Sequence, residues 1–335
     1  MKVGVLWRKF RNVEQQMKLT PDKIYDDAYE EAFHHYSALK SAGYDATLIE
    51  WNGKDPRKTL ESIIKEKVDI VFNASSLKEV ALLETFGIPY VGSGIDLVSL
   101  NKAQRKRIVA YNGVPTAKFV VVDDPDNIPE INLNYPLFVK PINGRGSAGI
   151  SDENIIYKYE DLPKVVRKIT EKIGQKALIE EYIEGREVTV GIIGYEDPMV
   201  LPIVEIKYNS TRTNTFEHKM YDREIIKCPA DFPEEIENRI KKTAIRIFKS
   251  LNAKDYSRID MIVNKEGIPY FLEINTFAGL SMASEKDESG KMKIHHGYMG
   301  YAAKAAGMTA SEFLSKILES AIERYNLIEK KKNIS

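Results

Sequence analysis

Residues 256–280, YSRIDMIVNKEGIPYFLEINTFAGL, alternate apolar and other side chains on either side of a KEG turn, the pattern of a β-hairpin. Arg258, Asp260, Glu273 and Asn275 interrupt the apolar positions at even spacing. A turn centred on Glu266-Gly267 sets Asp260 opposite Glu273 and Arg258 opposite Asn275. Residues two apart on a strand share a face, so all four side chains gather on one surface. Two opposed carboxylates repel, and burial raises the cost. A hard divalent cation relieves the repulsion: Asp, Glu and Asn oxygens suit magnesium, which completes its shell with waters and phosphate oxygens. A solvated hairpin face on which Arg258 neutralises one acid accounts for the same residues.

The remaining chain sets the context. Its 335 residues exceed one small core, so two or three domains are expected. Hydrophobic residues make up 43% and charged residues 29%, as in a soluble globular protein. Lysine plus arginine and aspartate plus glutamate each number 49, a balance that favours neither a nucleic-acid partner nor a membrane surface. The single cysteine, Cys228 in KCPADFP, excludes an internal disulfide and a cysteine-built zinc site, and reads as a structural thiol. No signal-peptide core and no apolar run near ~20 residues is present, so the expected location is the cytoplasm. The tail EKKKNIS reads as a solvated end.

The first hundred residues alternate strands and helices. KVGVLW, ATLIEW, VDIVFN and IPYVG are the strand candidates, with helices near 56–67 and 76–86. Before them, TPDKIYDDAYEEAFHHYSALKSAG predicts an amphipathic helix with Thr20 as N-cap, Pro21 in the first turn and Gly43 as the stop. This alternation implies a parallel sheet covered by helices. The loop after the first strand lacks Gly-x-Gly-x-x-Gly, which argues against a dinucleotide site there. GVPTAKFVVVDDPDNIPE leads into a second region with strands KFVVV, LFVKP and KALIEEYI and a helix near 160–173. Paired strands EVTVGIIGY and MVLPIVEIKY, the helix PEEIENRIKKTAIRIFKSLN, the hairpin and the helix TASEFLSKILESAIERYN follow. The expected class is mixed α/β and α+β, with domains at 1–98, 99–185 and 186–335.

Two further segments carry nucleotide-type chemistry. In FVKPINGRGSAGI, Lys140-Pro141 enters a loop containing Gly144, Gly146 and Gly149. Glycines let backbone N–H groups approach a phosphate, and the lysine adds charge. The lysine precedes the loop, so this is not the P-loop pattern, and an ordinary turn fits equally. In ALIEEYIEGREVTV, Glu180 and Glu181 end a strand and Glu187 follows Gly185. They suit an exposed edge, or acceptors for a nucleotide amine and ribose hydroxyls.

In order along the chain, GIPYVGSG, NKAQRKRIVAYNGVPT, FVKPINGRGSAGI, IEEYIEGREVTVGIIG, KCPADFP, RIDMIVNKEGIPYFLEINTFAGL and YAAKAAGM resemble the ATP-grasp superfamily and, within it, the D-alanine–D-alanine ligase family. The match spans most of residues 87–325. The resemblance implies an ATP-grasp fold: an N-terminal Rossmann-like parallel-sheet domain precedes two subdomains that clasp ATP. By the same resemblance Lys102 and Lys140 contact phosphates, with Lys219 of FEHKMY a third. Glu180 meets the adenine amine beside the backbone of Glu181 and Ile183, Glu187 holds the ribose, and Leu272 lines the nucleotide pocket. Asp260, Glu273 and Asn275 ligate two magnesium or manganese ions. Arg258, Gly279, Ser147 and Ser284, with Met220 and Tyr221 in a loop, face the acyl centre and substrates. The implied reaction converts a carboxylate with ATP to an acyl phosphate, which an amine then displaces, releasing ADP and phosphate. Arg258 stabilises the oxyanion. Implied partners are small amino-acid or peptide substrates and a second copy of the chain, without nucleic acid or membrane.

The first-substrate half departs from the family pattern. LWRKFRNVEQQ stands where a glycine- and serine-rich loop with a glutamate is usual, and Glu14 is not assigned that role. VFNASSLKEVALLETFGIPY replaces the His-Gly…Gly-Glu-Asp-Gly stretch. Met220 falls at a tyrosine position beside Tyr221, and Gly146 at a serine position beside Ser147. A D-alanine–D-alanine ligase-like activity therefore leads. A ligase for another amino acid or peptide stands beside it, as does a non-catalytic ATP-binding regulatory protein, against which the complete hairpin set argues. Arg8, Lys9 and Arg11 suit either an anionic substrate or a solvated basic loop. His34 and His35 read as surface or packing residues, and His295 and His296 as surface or substrate residues.

Overall fold

The computed structural model describes residues 1–8, 27–73, 75–143, 151–208, 224–282, 285–286, 292–294 and 297–328. Strand β1 (Lys2–Arg8) is followed by helix α1 (Asp27–Ser41), β2 (Asp45–Trp51), α2 (Pro56–Lys65), β3 (Ile70–Phe72) and α3 (Leu77–Thr85). β1 lies between β2 and β3, parallel to both, as the strand–helix alternation predicts. α1 stops where expected, with Gly43 in the left-handed region at φ +90. Its predicted start at Thr20 and Pro21 lies outside the described residues. Ser76 caps α3 by accepting the Glu79 N–H.

The segment IPYVG differs from its reading as a strand. It makes one parallel bridge, Val71 to Tyr90, with hydrogen bonds from Val71 N–H to Pro89 O and from Val91 N–H to Val71 O. Pro89 has no N–H to extend the ladder, and Gly92 at φ +115 turns the chain away.

After α4 (Ile95–Val98) and α5 (Lys102–Tyr111), β4 (Phe119–Val122), β5 (Leu137–Pro141), β6 (Ile155–Ile156), α6 (Leu162–Arg167) and β7 (Ala177–Glu181) form a second unit. Its antiparallel sheet has the order β4-β7-β5-β6. Leu162, Val166 and Ile169 pack on Leu137, Val139 and Ile179. The helix predicted to reach 173 does so, but winds more widely from Lys168 to Ile173 before Gly174 ends it at φ +71.

The third unit holds β8 (Arg186–Ile193), β9 (Met199–Val200), β10 (Val204–Tyr208), β11 (Glu224–Lys227), α7 (Glu234–Ser250), β12 (Tyr256–Val263) and β13 (Pro269–Asn275). The sheet order is β11-β10-β8-β12-β13, with β9 beside β8. Alternation on β8 turns Val188, Val190 and Ile192 toward Ile240, Ala244, Ile247 and Phe248 of α7. β14 (Glu285–Lys286) and β15 (Met292–Ile294) form a short ribbon ahead of α8 (Tyr298–Ala305) and α9 (Ala310–Arg324). Among the described residues no helix is long and apolar enough to cross a membrane.

Both chain ends share one core: Val3, Val5, Ile70 and Phe72 join Phe313, Leu314, Ile317 and Leu318 of α9. A buried polar knot secures the junction. Asp255, at φ +61 and fully buried, accepts from Gly92 N–H (2.8 Å), Ser320 Oγ (3.2 Å) and two nitrogens of Arg324 (3.0 and 2.6 Å). Arg324 also donates to the Tyr90 carbonyl at 2.9 Å. Asp255→Ala strands the guanidinium, so urea unfolding of that variant should show a loss of about 3–5 kcal/mol.

His35 packs edge-on against Phe72 in the same core, and burial pushes its imidazole down to about 3. The unfolded chain takes up this proton near the ordinary value of 6.5 while the native state refuses it until about 3. Stability attributable to His35 is therefore complete above that window and falls by roughly 1.4 kcal/mol per pH unit within it. His35→Leu should lower the acid-unfolding midpoint relative to the parent; an unchanged midpoint would contradict this account.

Candidate active site

β12 and β13 pair with Arg258 opposite Asn275 and Asp260 opposite Glu273, the register read from the sequence. Nearer the turn, Met261 pairs with Phe271 and Val263 with Pro269, so Leu272 is an extra residue. A turn drawn at Glu266-Gly267 reaches the right partners only because this bulge restores one residue of offset. The observed turn closes from Gly267 N–H to Asn264 O at 2.9 Å, with Gly267 at φ +72.

Neighbouring side chains already relieve the repulsion between the two acids. Arg258 donates to both oxygens of Asp260 at 2.9 Å each. Thr189 Oγ1 donates to the same carboxylate at 2.6 Å and Asn275 Nδ2 at 2.9 Å. Glu273 lies 3.7 Å from the Lys102 ammonium. In this state Arg258 neutralises one acid, as the alternative reading holds, but on a buried face rather than a solvated one: Asp260 is 7% exposed. Burial alone pushes the Arg258 guanidinium down, yet Asp260, Tyr298 and Glu273 outweigh it and the net shift is upward. The Tyr298 ring lies 4.9 Å from the guanidinium, a contact that no hairpin pattern reveals.

Facing this sheet are Lys102 and Lys106 on α5, Lys140 on β5 and Glu180 on β7. The Glu180 carboxylate is buried between Lys140 (2.5 Å) and Lys106 (2.9 Å). Burial raises its proton affinity, but the two ammoniums overcome that and hold it below the ordinary range. Burial lowers Lys102 despite Glu273, and pushes Lys106 down to about 8 despite Glu180. Arg105 ties α5 to β13 by donating to the Ile274 carbonyl at 3.0 Å. Lys106 was not among the sequence candidates. Its signal is its place in the buried stripe Ala103, Lys106, Val109, where a lysine sits at a core position of the helix.

The other predicted residues distribute as follows. Glu187 shares the Thr189 face of β8. The Glu181 side chain accepts from the Asn134 backbone and amide at 3.1 and 2.9 Å. Ile183 lines an open cleft of about 650 Å³ with Arg186, Phe232, Ile236 and Val263. Arg186 lies on the α7 face of β8, so this cleft is separate from the Asp260 cluster. Gly279 packs against the start of α8, where a Cβ on Gly297 would fall 2.2 Å from the Gly279 oxygen. Ser147, Lys219, Met220, Tyr221, Ser284, His295 and His296 lie outside the described residues, as do Gly144, Gly146, Gly149, Lys9, Arg11 and Glu14. Arg8 is partly buried and donates to buried Glu79 and to Ser75, both at 2.7 Å. Burial pushes the half-buried Cys228 thiol up to about 11, consistent with a structural role.

Two carboxylates and an amide on one face suit a hard oxygen-seeking cation. Among the described residues no group of three or more His, Cys, Asp or Glu could hold a metal by itself. As oxygen donors, Asp260, Glu273 and Asn275 fit magnesium, which takes its remaining ligands from water and phosphate.

A family model described as the D-ala D-ala ligase C-terminus matches residues 108–297. The D-alanine–D-alanine ligase of Pelotomaculum thermopropionicum is 32% identical over 96% of this chain and 97% of its own. The chain belongs to the D-alanine–D-alanine ligase family. It is thus an ATP-grasp ligase that forms a carbon–nitrogen bond. Solved structures agree in fold. A Bacillus anthracis D-alanine–D-alanine ligase complexed with ATP superposes with a TM-score of 0.72 at 23% identity, covering 99% of both chains. The VanG D-Ala:D-Ser ligase of Enterococcus faecalis gives 0.70 at 21% identity over 96% of this chain and 99% of its own. Within this family fold, Gly297 lets α8 approach the Gly279 loop. Gly297→Ala should displace that loop and lower kcat on the order of 100-fold in steady-state assays, with circular dichroism unchanged.

Proposed function

We propose that this ligase joins two amino acids at the expense of ATP, with D-alanine the leading candidate for both. The observation that carries the reading is the juxtaposition of the Arg258–Asp260–Glu273–Asn275 face with Lys102 and Lys140. On this reading residues 1–98 receive the first substrate, and 99–185 and 186–335 close on the nucleotide. Lys102 and Lys140 take its phosphates, Glu180 and Glu187 accept from its amine and ribose, and Leu272 packs beside it. Asp260, Glu273 and Asn275 hold magnesium or manganese, which when bound neutralises phosphate charge. Arg258, steadied on Tyr298, donates to the acyl oxygen as negative charge develops. A homodimer and a cytoplasmic location belong to the same reading.

The test is incubation with ATP, magnesium and D-alanine, reading phosphate release and dipeptide mass. D-alanyl-D-alanine is expected. The fold shared with a D-Ala:D-Ser ligase places D-serine in the acceptor panel. Turnover confined to another amino acid or peptide would overturn D-alanine and leave the ligase class intact. Asp260→Ala and Glu273→Ala should abolish turnover in folded protein; near-normal rates in either would remove them from the metal set. Thr189→Val deletes one hydrogen bond that orients Asp260, and a magnesium titration of its activity should show affinity lowered about tenfold.

A further inference from the structure

Resting on the nucleotide reading above, we infer that Lys106 is the fixed counterion of Glu180, a positioning residue whose charge leaves Lys140 able to exchange that carboxylate for a nucleotide phosphate. Glu180 is 3% exposed, and each oxygen faces a different ammonium, Lys140 on one and Lys106 on the other. The two lysines are not equivalent. Lys106 is fully buried and is anchored by Thr116 Oγ1 at 2.8 Å and the Phe271 carbonyl at 3.4 Å as well as by Glu180. Thr116 itself donates to Phe271 O at 3.0 Å, so this anchor belongs to the junction between α5 and β13. Lys140 sits at the end of β5, paired with Glu180 and 5.8 Å from the ring centre of Phe138.

If Lys140 were the sole counterion, its departure would strand a buried carboxylate, at a cost that opposes nucleotide binding. With Lys106 in place, Glu180 stays ionised and remains an acceptor after Lys140 leaves. Three ammoniums, on Lys102, Lys106 and Lys140, surround two carboxylates, on Glu180 and Glu273, so the cluster carries an excess positive charge toward an anion. Burial holds Lys106 near 8, which leaves it charged at neutral pH.

Lys106→Met in the full chain tests this. The KM for ATP should rise about tenfold, with magnesium–ATP binding by calorimetry weakened in parallel. At saturating ATP, kcat and the amino-acid KM should stay within about threefold of the parent. Adding Glu180→Gln should bring the ATP KM back by about threefold or more, because a neutral amide no longer holds Lys140. A merely structural role for Lys106 predicts no such rescue. A folded Lys106→Met enzyme with the parental ATP KM, or a double variant no better than the single one, overturns the inference. If Lys106→Met does not fold, the double variant decides: an ATP KM well above that of Glu180→Gln alone overturns it. A parent chain that binds no magnesium–ATP overturns the nucleotide reading itself, an outcome separate from the others.

Discussion

Register between β12 and β13 decides which chemistry the central sheet presents. A slip of one residue would turn Asp260 and Arg258 into the α7 core and expose Ile259 and Met261, which now pack there. The slip is opposed from both sides, because β12 pairs along its whole length with β8. That pairing also brings Thr189 opposite Asp260, where its hydroxyl fixes the carboxylate. The hydrophobic face on α7 and the polar face toward α5 thus specify the same register, and one bulge at Leu272 reconciles the turn with both.

Around that face, charges are arranged in opposed pairs rather than as a single positive or negative surface. Asp260 answers Arg258, Glu273 answers Lys102, and Glu180 answers Lys140 and Lys106. Buried ions persist only when paired, so each pair offsets the cost of burying its charges. The same pairs limit how readily an anion or cation enters, because an incoming ligand must replace an existing partner. On the proposed reading, the lysine cluster favours phosphate, and the two hairpin acids with Asn275 favour a metal.

The support for this face reaches both ends of the chain. Asp255 leads directly into β12 and is held by Arg324 of α9 and by Gly92 beyond the parallel sheet. α9 therefore closes the first core while fixing where β12 begins. α8 adds the Tyr298 ring under Arg258, so packing and site geometry are set by one junction.

Much of the chemistry was legible because it follows from local period. The strand alternation placed Arg258, Asp260, Glu273 and Asn275 on one face, and ordered motifs pointed to Lys102, Lys140 and Glu180. IPYVG misled because strand propensity does not record that Pro89 lacks a donor or that Gly92 turns. Lys106, Tyr298 and the Arg8–Glu79 pair escaped because their meaning lies in contacts between segments far apart in sequence. The sequence by itself determined the fold family and which charged side chains share the hairpin face, since these depend on pattern and order. Tertiary structure alone decided which charges are paired, how deeply they are buried and which lysine is anchored, because desolvation and partner distance arise only when distant elements pack together.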